Sequence, residues 1–390
     1  MLLDLPRRRM TRSRTGRRLL LAAAVIIAVA LVAGTDGWIV RHFGAHAAAD
    51  RGADSFLSGI ACPSATTCWA VGQSAVARGG NTSSEVRSQL IERETGGSWH
   101  RMAAPAAPGR DLALTAITCP GSRDCWAVGG SSQSGPAIIE HWTGGTWHLA
   151  RSPALSGGQL TSVSCASVSL CWASGGKQTY RDKTSDVLEQ WDGTGWRLIP
   201  GLDGGLQPTL FACPAAGHCL IAGLRGGTAT AVSYNLGRWN PVTLPAGAHS
   251  RPGAAGARRA AAARLPEFLA CADPTSCLAL LRSGRDLITE HWNGSSWTPA
   301  ADRPPPYLAD LACAGGRGCW LLGTSDALTP LALRWGNGSW VRTPVTGASQ
   351  RGYFGDLACG TRCWVIGGRT STLGDGSSYS YPLIGPVART

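Results

Sequence analysis

The sequence contains almost no lysine, and no stretch beyond residue 50 has a convincing helical period. Only Lys177 and Lys183 are lysines among the 36 basic residues. Glycine and proline, by contrast, number 52 and 23. Apolar residues without a 3.6-residue period, broken by frequent turn formers, indicate an all-β chain with many turns rather than a helical protein.

A basic stripe that could follow a nucleic-acid backbone is also missing, although the formal net charge is +12. Residues 1–18 hold seven arginines and one aspartate, and residues 251–264 hold four arginines. These two segments account for +10 and leave a net charge of +2 on the rest of the chain. The sequence therefore predicts no nucleic-acid partner.

Cysteine is plentiful but never isolated. All 14 cysteines fall into seven pairs. In each pair the second cysteine is followed by Trp or Leu, as in CPSATTCWAVG at residues 62–72. The first cysteines of the seven copies, which define repeats 1 to 7, are Cys62, Cys119, Cys165, Cys213, Cys271, Cys313 and Cys359. Their spacing of 42 to 58 residues is typical of propellers and solenoids.

We expect each pair to form a disulfide, because an exported chain with an even cysteine count at fixed spacing indicates a disulfide framework. A zinc site needs about four clustered ligands, and only the fourth pair encloses a histidine, His218. No metal and no cofactor are therefore expected. Two strands joined by a five-residue polar turn would bring the cysteines together. The predicted bonds are Cys62–Cys68, Cys119–Cys125, Cys165–Cys171, Cys213–Cys219, Cys271–Cys277, Cys313–Cys319 and Cys359–Cys363.

The N-terminus has the pattern of a targeting segment. Residues 1–18 are basic, and residues 19–34 form an uncharged apolar run of a length between a signal-peptide core and a membrane span. We expect residues 1–18 to be cytoplasmic and residues 19–34 to form a signal-anchor helix in a single-pass membrane protein, with the remainder outside. The alternative is a secreted protein cleaved near Gly34.

A second signature follows each of the first six cysteine pairs. Apolar segments flank a turn rich in Gly, Asn, Asp and Ser that ends on a tryptophan, as in IIEHWTGGTW at residues 138–147. One repeat thus contains four antiparallel strands, which is the unit of a propeller blade. The closing tryptophans are Trp99, Trp147, Trp196, Trp239, Trp297 and Trp340.

The glycine pairs after the second strand, such as Gly129-Gly130, and the paired tryptophans of the last hairpin, such as Trp142 and Trp147, resemble those of kelch and galactose-oxidase-like propellers. The sequence is most similar to secreted bacterial propellers with C-x5-CWAVG repeats. This resemblance implies an all-β, seven-bladed β-propeller with four-stranded antiparallel blades, preceded by an N-terminal apolar helix. It implies no activity.

The seventh repeat has no closing tryptophan of its own. Trp38 in DGWIV matches the missing strand, so we expect residues 37–41 to join the last blade and to close a propeller domain of residues 37–390. The alternative is that Trp38 anchors a longer membrane helix at the interface.

Positions that recur in every blade are predicted to be scaffold, whereas a site should break the pattern. The recurrent Glu92, Glu140, Glu189 and Glu290 are therefore interpreted as strand pairing or solvation. In the usual layout, the loops from second to third strand and from blade to blade share one face, the loop face. The cysteine and tryptophan hairpins share the opposite, hairpin face.

The irregular segments 73–89, 177–186 and 245–267 all belong to the loop face, and 245–267 is expected to be a disordered insertion. The loop face is therefore the candidate binding surface. Ordinary solvated loop charges are the alternative reading of its basic residues. The candidate binding residues are Arg78, Arg87, Lys177, Arg181, Lys183, Arg225 and Arg285.

Two acids provide the candidate catalytic residues. Asp310 and Asp356 are the only acids that stand three residues before a first cysteine. We expect a non-enzymatic, monomeric, extracytoplasmic binding module for a protein or a cell-envelope glycan, attached to the membrane through its N-terminal helix. The alternatives are a sialidase- or glycosidase-like carbohydrate-active enzyme that uses the same face, and a structural envelope protein.

Overall fold

The computed structural model describes fifteen ranges of the chain. The predicted targeting segment, the strand at residues 37–41 and most of the 245–267 insertion lie outside them. The described residues are 55–77, 85–131, 136–153, 158–178, 184–244, 266–283, 286–300, 302, 304–305, 308–314, 318–325, 329–345, 352–359, 362–372 and 378–387.

The described residues form strands and turns, as expected for an all-β chain. Among them, no helix is long and apolar enough to cross a membrane. The first four repeats supply β1 (Ser55–Ser64), β2 (Thr67–Ala77), β3 (Glu85–Thr95), β4 (Ser98–Met102), β5 (Leu112–Gly121), β6 (Asp124–Ser131), β7 (Ile138–Trp142), β8 (Trp147–Ala150), β9 (Gly158–Ser167), β10 (Leu170–Gln178), β11 (Thr184–Trp191), β12 (Trp196–Leu198), β13 (Gln207–Ala215), β14 (His218–Arg225), β15 (Thr228–Asn235) and β16 (Arg238–Val242). The last three supply β17 (Phe268–Asp273), β18 (Ser276–Ser283), β19 (Asp286–Trp292), β20 (Trp297–Pro299), β21 (Leu308–Ala314), β22 (Gly318–Thr324), β23 (Pro330–Gly336), β24 (Ser339–Arg342), β25 (Gly352–Cys359), β26 (Cys363–Thr372) and β27 (Ser378–Pro386).

Each repeat pairs its strands in chain order and antiparallel. Repeats 1, 4, 5 and 6 are separate four-stranded sheets. Repeats 2 and 3 have the same internal order but are joined into one eight-stranded sheet by the pair Gly130 and Gln159. Repeat 7 forms a three-stranded sheet, β25-β26-β27, within the described residues. The predicted four-stranded antiparallel unit is confirmed.

The first strands of the repeats lie side by side around a closed ring. Each first strand contacts that of the next repeat, from β1 and β5 onward, and β25 in turn contacts β1. One apolar cluster at this junction contains Ile60 and Trp99 of repeat 1 together with Trp364 and Ile366 of repeat 7. The last repeat therefore packs against the first.

Tryptophans of neighbouring repeats interlock at these junctions. Trp69 of repeat 1 lies 4.7 Å from Trp142 and 5.2 Å from Trp147 of repeat 2, between ring centroids. Trp364 of repeat 7 meets Trp99 of repeat 1 edge-on at 5.6 Å, again between ring centroids. Such pairs contribute about 0.5–1.5 kcal/mol each beyond their buried area. The same type of contact thus joins consecutive repeats and closes the ring.

All seven predicted disulfides are confirmed. The predicted five-residue turn is wrong, however. In repeat 1 the strands continue past both cysteines, and only Ala65 and Thr66 lie between them. The paired cysteines are cross-strand neighbours near the tip of a tight hairpin, with a Cα–Cα distance of 4.0 Å in repeat 1.

A bulge in the first strand explains the recurrent glycine of the CWAVG pattern. In repeat 2, Thr115 is the extra residue between Leu114 and Ala116, and Gly129 of β6 lies opposite Leu114. A Cβ on Gly129 would lie 1.9 Å from the carbonyl oxygen of Ala113. The bulge presses the first strand onto the second, so only glycine fits there.

Candidate functional site

The residue three positions before each first cysteine, which we call the ring position, points at the ring position of the next repeat. A Cβ on Gly59 in repeat 1 would lie 3.1 Å from the Cα atom of Ala116 in repeat 2. Asp310 and Asp356 occupy this position in neighbouring repeats and are therefore directed together. The ring positions are Gly59, Ala116, Ser162, Leu210, Phe268, Asp310 and Asp356.

The carboxyl groups of Asp310 and Asp356 are joined by a side-chain hydrogen bond. Each also accepts from the next backbone N–H: Leu311 N donates to Asp310 Oδ1 at 2.8 Å, and Leu357 N donates to Asp356 Oδ1 at 2.7 Å. Ile60 N of repeat 1 donates to Asp356 Oδ2 at 2.9 Å. Since two carboxylates cannot bond without a proton, the pair holds one proton and links repeats 6, 7 and 1.

The environment of the pair favours this protonated form. Burial raises the pKa of Asp310 from its usual 3.8 to about 6. Burial and, secondarily, the charge of Asp310 raise the pKa of Asp356 well above its usual value. Among the described residues, no ion pair includes either aspartate. The two groups therefore titrate as one unit that resists a second negative charge.

This contact argues against a glycosidase role for the pair. Glycosidases that use two acids hold their carboxyl groups about 5 Å or more apart, so that a sugar or a water fits between them. Asp310 and Asp356 are in hydrogen-bond contact, and Asp356 is committed to the backbone of repeat 1. The sequence pattern located a real pair, but its geometry is that of a link between repeats.

Two predicted binding residues have described side chains, and both lie beside connections between repeats. Exposed Arg87 of β3 donates its backbone N–H to Asp111 Oδ1 at 3.2 Å. Arg225 at the end of β14 pairs with Asp203, with 3.0 Å from Nη2 to Oδ2. These contacts bring the two kinds of loop together, as the predicted loop face requires.

The other predicted binding residues are less defined. Lys177 lies in β10, and its side chain falls outside the described residues. Arg78, Arg181, Lys183 and Arg285 lie outside the described ranges altogether. Because Asp203 neutralises Arg225, Arg87 is the predicted binding residue whose described side chain keeps its charge exposed on the loop face.

The recurrent glutamates are scaffold, as predicted, but the solvation reading is wrong because they are buried. Glu140 and Glu189 are 0% exposed. Gln89 Nε2 of repeat 1 donates to Glu140 Oε1 at 3.2 Å, and Ser152 Oγ donates to Glu189 Oε1 at 2.7 Å. Burial raises the pKa of Glu140 from 4.5 to about 7 and also raises that of Glu189. The two apolar residues that directly precede each of them, Ile138-Ile139 and Val187-Leu188, were the signal for burial.

Glu140→Gln is expected to raise the free energy of unfolding by about 2 kcal/mol at pH 8 and to leave it nearly unchanged at pH 4. Because the pKa of Glu140 is about 7 in the folded protein and 4.5 ordinarily, the wild type loses stability as the pH rises between these values. The amide keeps the shape without the charge. Urea unfolding at pH 4, 6 and 8 checks this, and parallel pH profiles for variant and wild type would contradict it.

Comparisons with known proteins give structural likeness without a sequence family. No family model matches the chain, and no curated protein matches it. The structure is similar to that of "YCF48 bound to D1 peptide", with a TM-score of 0.50, 14% identity, and 86% of this chain and 93% of that chain covered. It is also similar to "Structure of U3-55K", with a TM-score of 0.51, 11% identity, and coverage of 86% and 97%.

The fold is a β-propeller. The solved neighbours and the antiparallel sheets around a ring agree on this point. The more specific resemblance to kelch-type repeats stays a prediction.

Proposed function

We propose that this protein is an extracytoplasmic, seven-bladed β-propeller, tethered by its N-terminal segment, that acts as a non-enzymatic binding module through its loop face. Seven cysteine repeats and the closed ring of first strands from β1 to β25 support the blade number. The apolar run at residues 19–34 and the seven disulfides support export.

The observation that carries the proposal is the unequal variation of the two faces. Every turn on the hairpin face contains two to four residues, as between β1 and β2 or between β7 and β8. Connections on the loop face range from two residues between β14 and β15 to 25 between β16 and β17. Binding residues are commonly carried on variable loops held by a rigid scaffold. The loop face is therefore the surface on which the repeats of this chain differ most from one another.

The proposed partner is a protein or a cell-envelope glycan, because an exported, tethered propeller meets these first. Arg87 offers a fully charged, bidentate donor for a carboxylate or phosphate group. The neutral body of the chain makes such recognition local rather than a matter of long-range attraction.

The test compares charge reversals on the two faces of the full-length, disulfide-bonded protein. Arg87→Glu with Arg225→Glu changes the loop face, and Arg123→Glu with Arg362→Glu makes the matched change at hairpin-face turns. Affinity for purified envelope glycan and for immobilised envelope peptides is measured by biolayer interferometry.

We expect the loop-face variant to bind at least about tenfold more weakly and the hairpin-face variant to bind like the wild type. Equal losses in both variants, or a loss confined to the hairpin-face variant, would contradict the proposal. The lack of any saturable binding to either material would favour the structural envelope alternative.

A further inference from the structure

At two junctions between repeats, a side chain of the earlier repeat lies between aromatic rings of both. The guanidinium carbon of Arg93 is 5.2 Å from the ring centroid of Trp69 and 5.6 Å from that of Trp142. His141 stacks on Trp126 with 3.7 Å between ring centroids and lies 6.3 Å from Trp191. The aromatic rings at these junctions thus form a slot for a flat nitrogen-containing group. Arg93 fills the slot at one junction and His141 fills it at the other.

Both slot-filling residues occupy the same place in the sheet. Arg93 is the cross-strand partner of Trp69, and His141 is the partner of Trp126. In repeat 6 the equivalent Arg334 is the partner of Trp320, with its guanidinium carbon 5.6 Å from the ring centroid. A register position on the third strand therefore determines what covers the tryptophan of the second strand.

Repeat 3 has a different residue at this position. The cross-strand partner of Trp172 is Gln190. The glutamine side chain is shorter than that of arginine and carries no charge. Among the described residues, no cation–π contact involves Trp172. The junction between repeats 3 and 4 therefore has the aromatic rings of the slot, but the neutral Gln190 stands in place of the cation.

Trp172 lies farther from the two rings of the next repeat than the equivalent tryptophans do, while those two rings are closer to each other, at 4.9 Å against 6.0 and 6.1 Å between centroids. The centroids of Trp172 and Tyr234 are separated by 5.6 Å, whereas the equivalent pairs in the two preceding junctions are separated by 4.7 Å. Trp172 and Trp239 are 5.9 Å apart, against 5.2 Å at both earlier junctions. The smaller tyrosine ring at position 234 accounts for part of this opening.

A cavity of about 490 Å³ occupies the opened junction. Trp172, Tyr234, Trp239 and Gln190 line it, and Leu202 contributes to its apolar wall. Its volume lies within the range of about 300–1,000 Å³ that is usual for small-molecule sites. Its wall combines three aromatic residues with Gln190 from the slot position and with Asp203.

We propose that this cavity binds a small organic cation, either a guanidinium or a quaternary ammonium group. Such a cation would lie against the partly exposed rings of Tyr234 and Trp239, beside Gln190, much as the Arg93 guanidinium lies against aromatic rings two junctions away. Aromatic faces attract cations that shed water easily, and quaternary ammonium recognition by aromatic cages is an established use of this force. Asp203, which lines the cavity, is the charged residue nearest the proposed cation, and it is paired with Arg225.

This site is formed by strand side chains at one junction together with the connection between β12 and β13, and neither Arg87 nor Arg225 lines it. Saturation-transfer NMR and isothermal titration on the full-length protein test it with two matched ligand pairs. N-acetyl-arginine amide is compared with the neutral N-acetyl-citrulline amide, and choline with the neutral 3,3-dimethylbutanol. We expect saturable binding of the cations and about tenfold weaker binding of their neutral analogues.

Two variants exchange the slot residues of repeats 1 and 3. Gln190→Arg supplies the chain's own guanidinium, as Arg93 does in repeat 1, and is expected to abolish binding without unfolding the protein. Arg93→Gln vacates the slot of repeat 1 and is expected to leave the first site intact and to add a second, weaker one. Circular dichroism and thermal melting establish that both variants are folded.

Three results would overturn the proposal: equal binding of cations and neutral analogues, undiminished binding by Gln190→Arg, or no saturable binding by the wild type. None of them bears on the loop-face proposal, whose Arg87→Glu substitution lies in repeat 1 and not at the cavity between repeats 3 and 4. If Gln190→Arg does not fold, Gln190→Lys with Tyr234→Trp closes the same space, and undiminished binding by that variant is equally decisive.

Discussion

Gly129→Ala is expected to lower the free energy of unfolding by about 3 kcal/mol or more. Strand propensity alone predicts the opposite, a gain of roughly 0.5–1 kcal/mol from removing a flexible glycine. The close contact makes the substitution destabilising, because the added Cβ would lie 1.9 Å from the Ala113 carbonyl oxygen. That oxygen belongs to the backbone of β5, which the bulge fixes, so neither strand can yield without breaking its pairing.

Gly145→Ala is the matched control. A Cβ at this turn glycine meets no atom within 4 Å, so we expect a change of less than about 0.5 kcal/mol. Repeat 5 offers a natural control, since Leu281 occupies the equivalent place and the described pairing of β17 with β18 has no bulge there. Urea unfolding monitored by tryptophan fluorescence measures both variants. Equal stability of Gly129→Ala and Gly145→Ala would show that the bulge does not enforce the glycine.

Asp310→Asn is expected to raise the free energy of unfolding by about 2 kcal/mol at pH 8, with little change at pH 4. The pKa of Asp310 is raised from 3.8 to about 6 in the folded protein, so ionisation of this group costs the wild type no stability below pH 3.8. It loses stability as the pH rises toward 6, because folding then forces a second charge onto the pair or retains a proton. The asparagine amide donates to Asp356 at any pH and removes this cost.

Asp356→Ala separates the charge effect from the structural link. It removes the acceptor of the Ile60 and Leu357 N–H groups, so we expect a loss of about 1–3 kcal/mol at pH 4. The loss is expected to be smaller at pH 8, because the raised pKa of Asp356 costs the wild type stability there. Asp111→Asn, remote from the pair, serves as the control for general effects of removing a carboxylate. Urea unfolding between pH 4 and 8 gives all four profiles. If Asp310→Asn runs parallel to the wild type, the two carboxyl groups do not share a proton.

Repetition made much of the fold predictable. Seven copies of one pattern gave the strand order and the disulfide partners, because each is fixed by contacts within a single repeat. The glycine pair was expected after the second strand, but Gly129 and Gly130 lie inside it. The cysteines of repeat 1 are separated by six residues, and a hairpin is enough to bring them together. The turn was predicted too long, since a spacing of cysteines does not show where the pairing of the strands ends.

Contacts between repeats were harder to predict. Ile60 and Asp356 are 296 residues apart, and only closure of the ring places the N–H group of one beside the carboxylate of the other. The pattern marked Asp310 and Asp356 as unusual, but not as touching. The opened junction at Trp172 likewise depends on ring spacings that differ by less than 1 Å between repeats.

The disulfides and the contacts between repeats stabilise different parts of this molecule. Each disulfide spans four or six residues, so it fastens the tip of one hairpin and ties no repeat to another. Reducing agents would therefore break seven disulfides within single hairpins and leave the contacts between neighbouring repeats intact. The circle depends on aromatic contacts, apolar clusters and one shared proton between repeats, so acidity and temperature, rather than redox state, determine when neighbouring repeats separate.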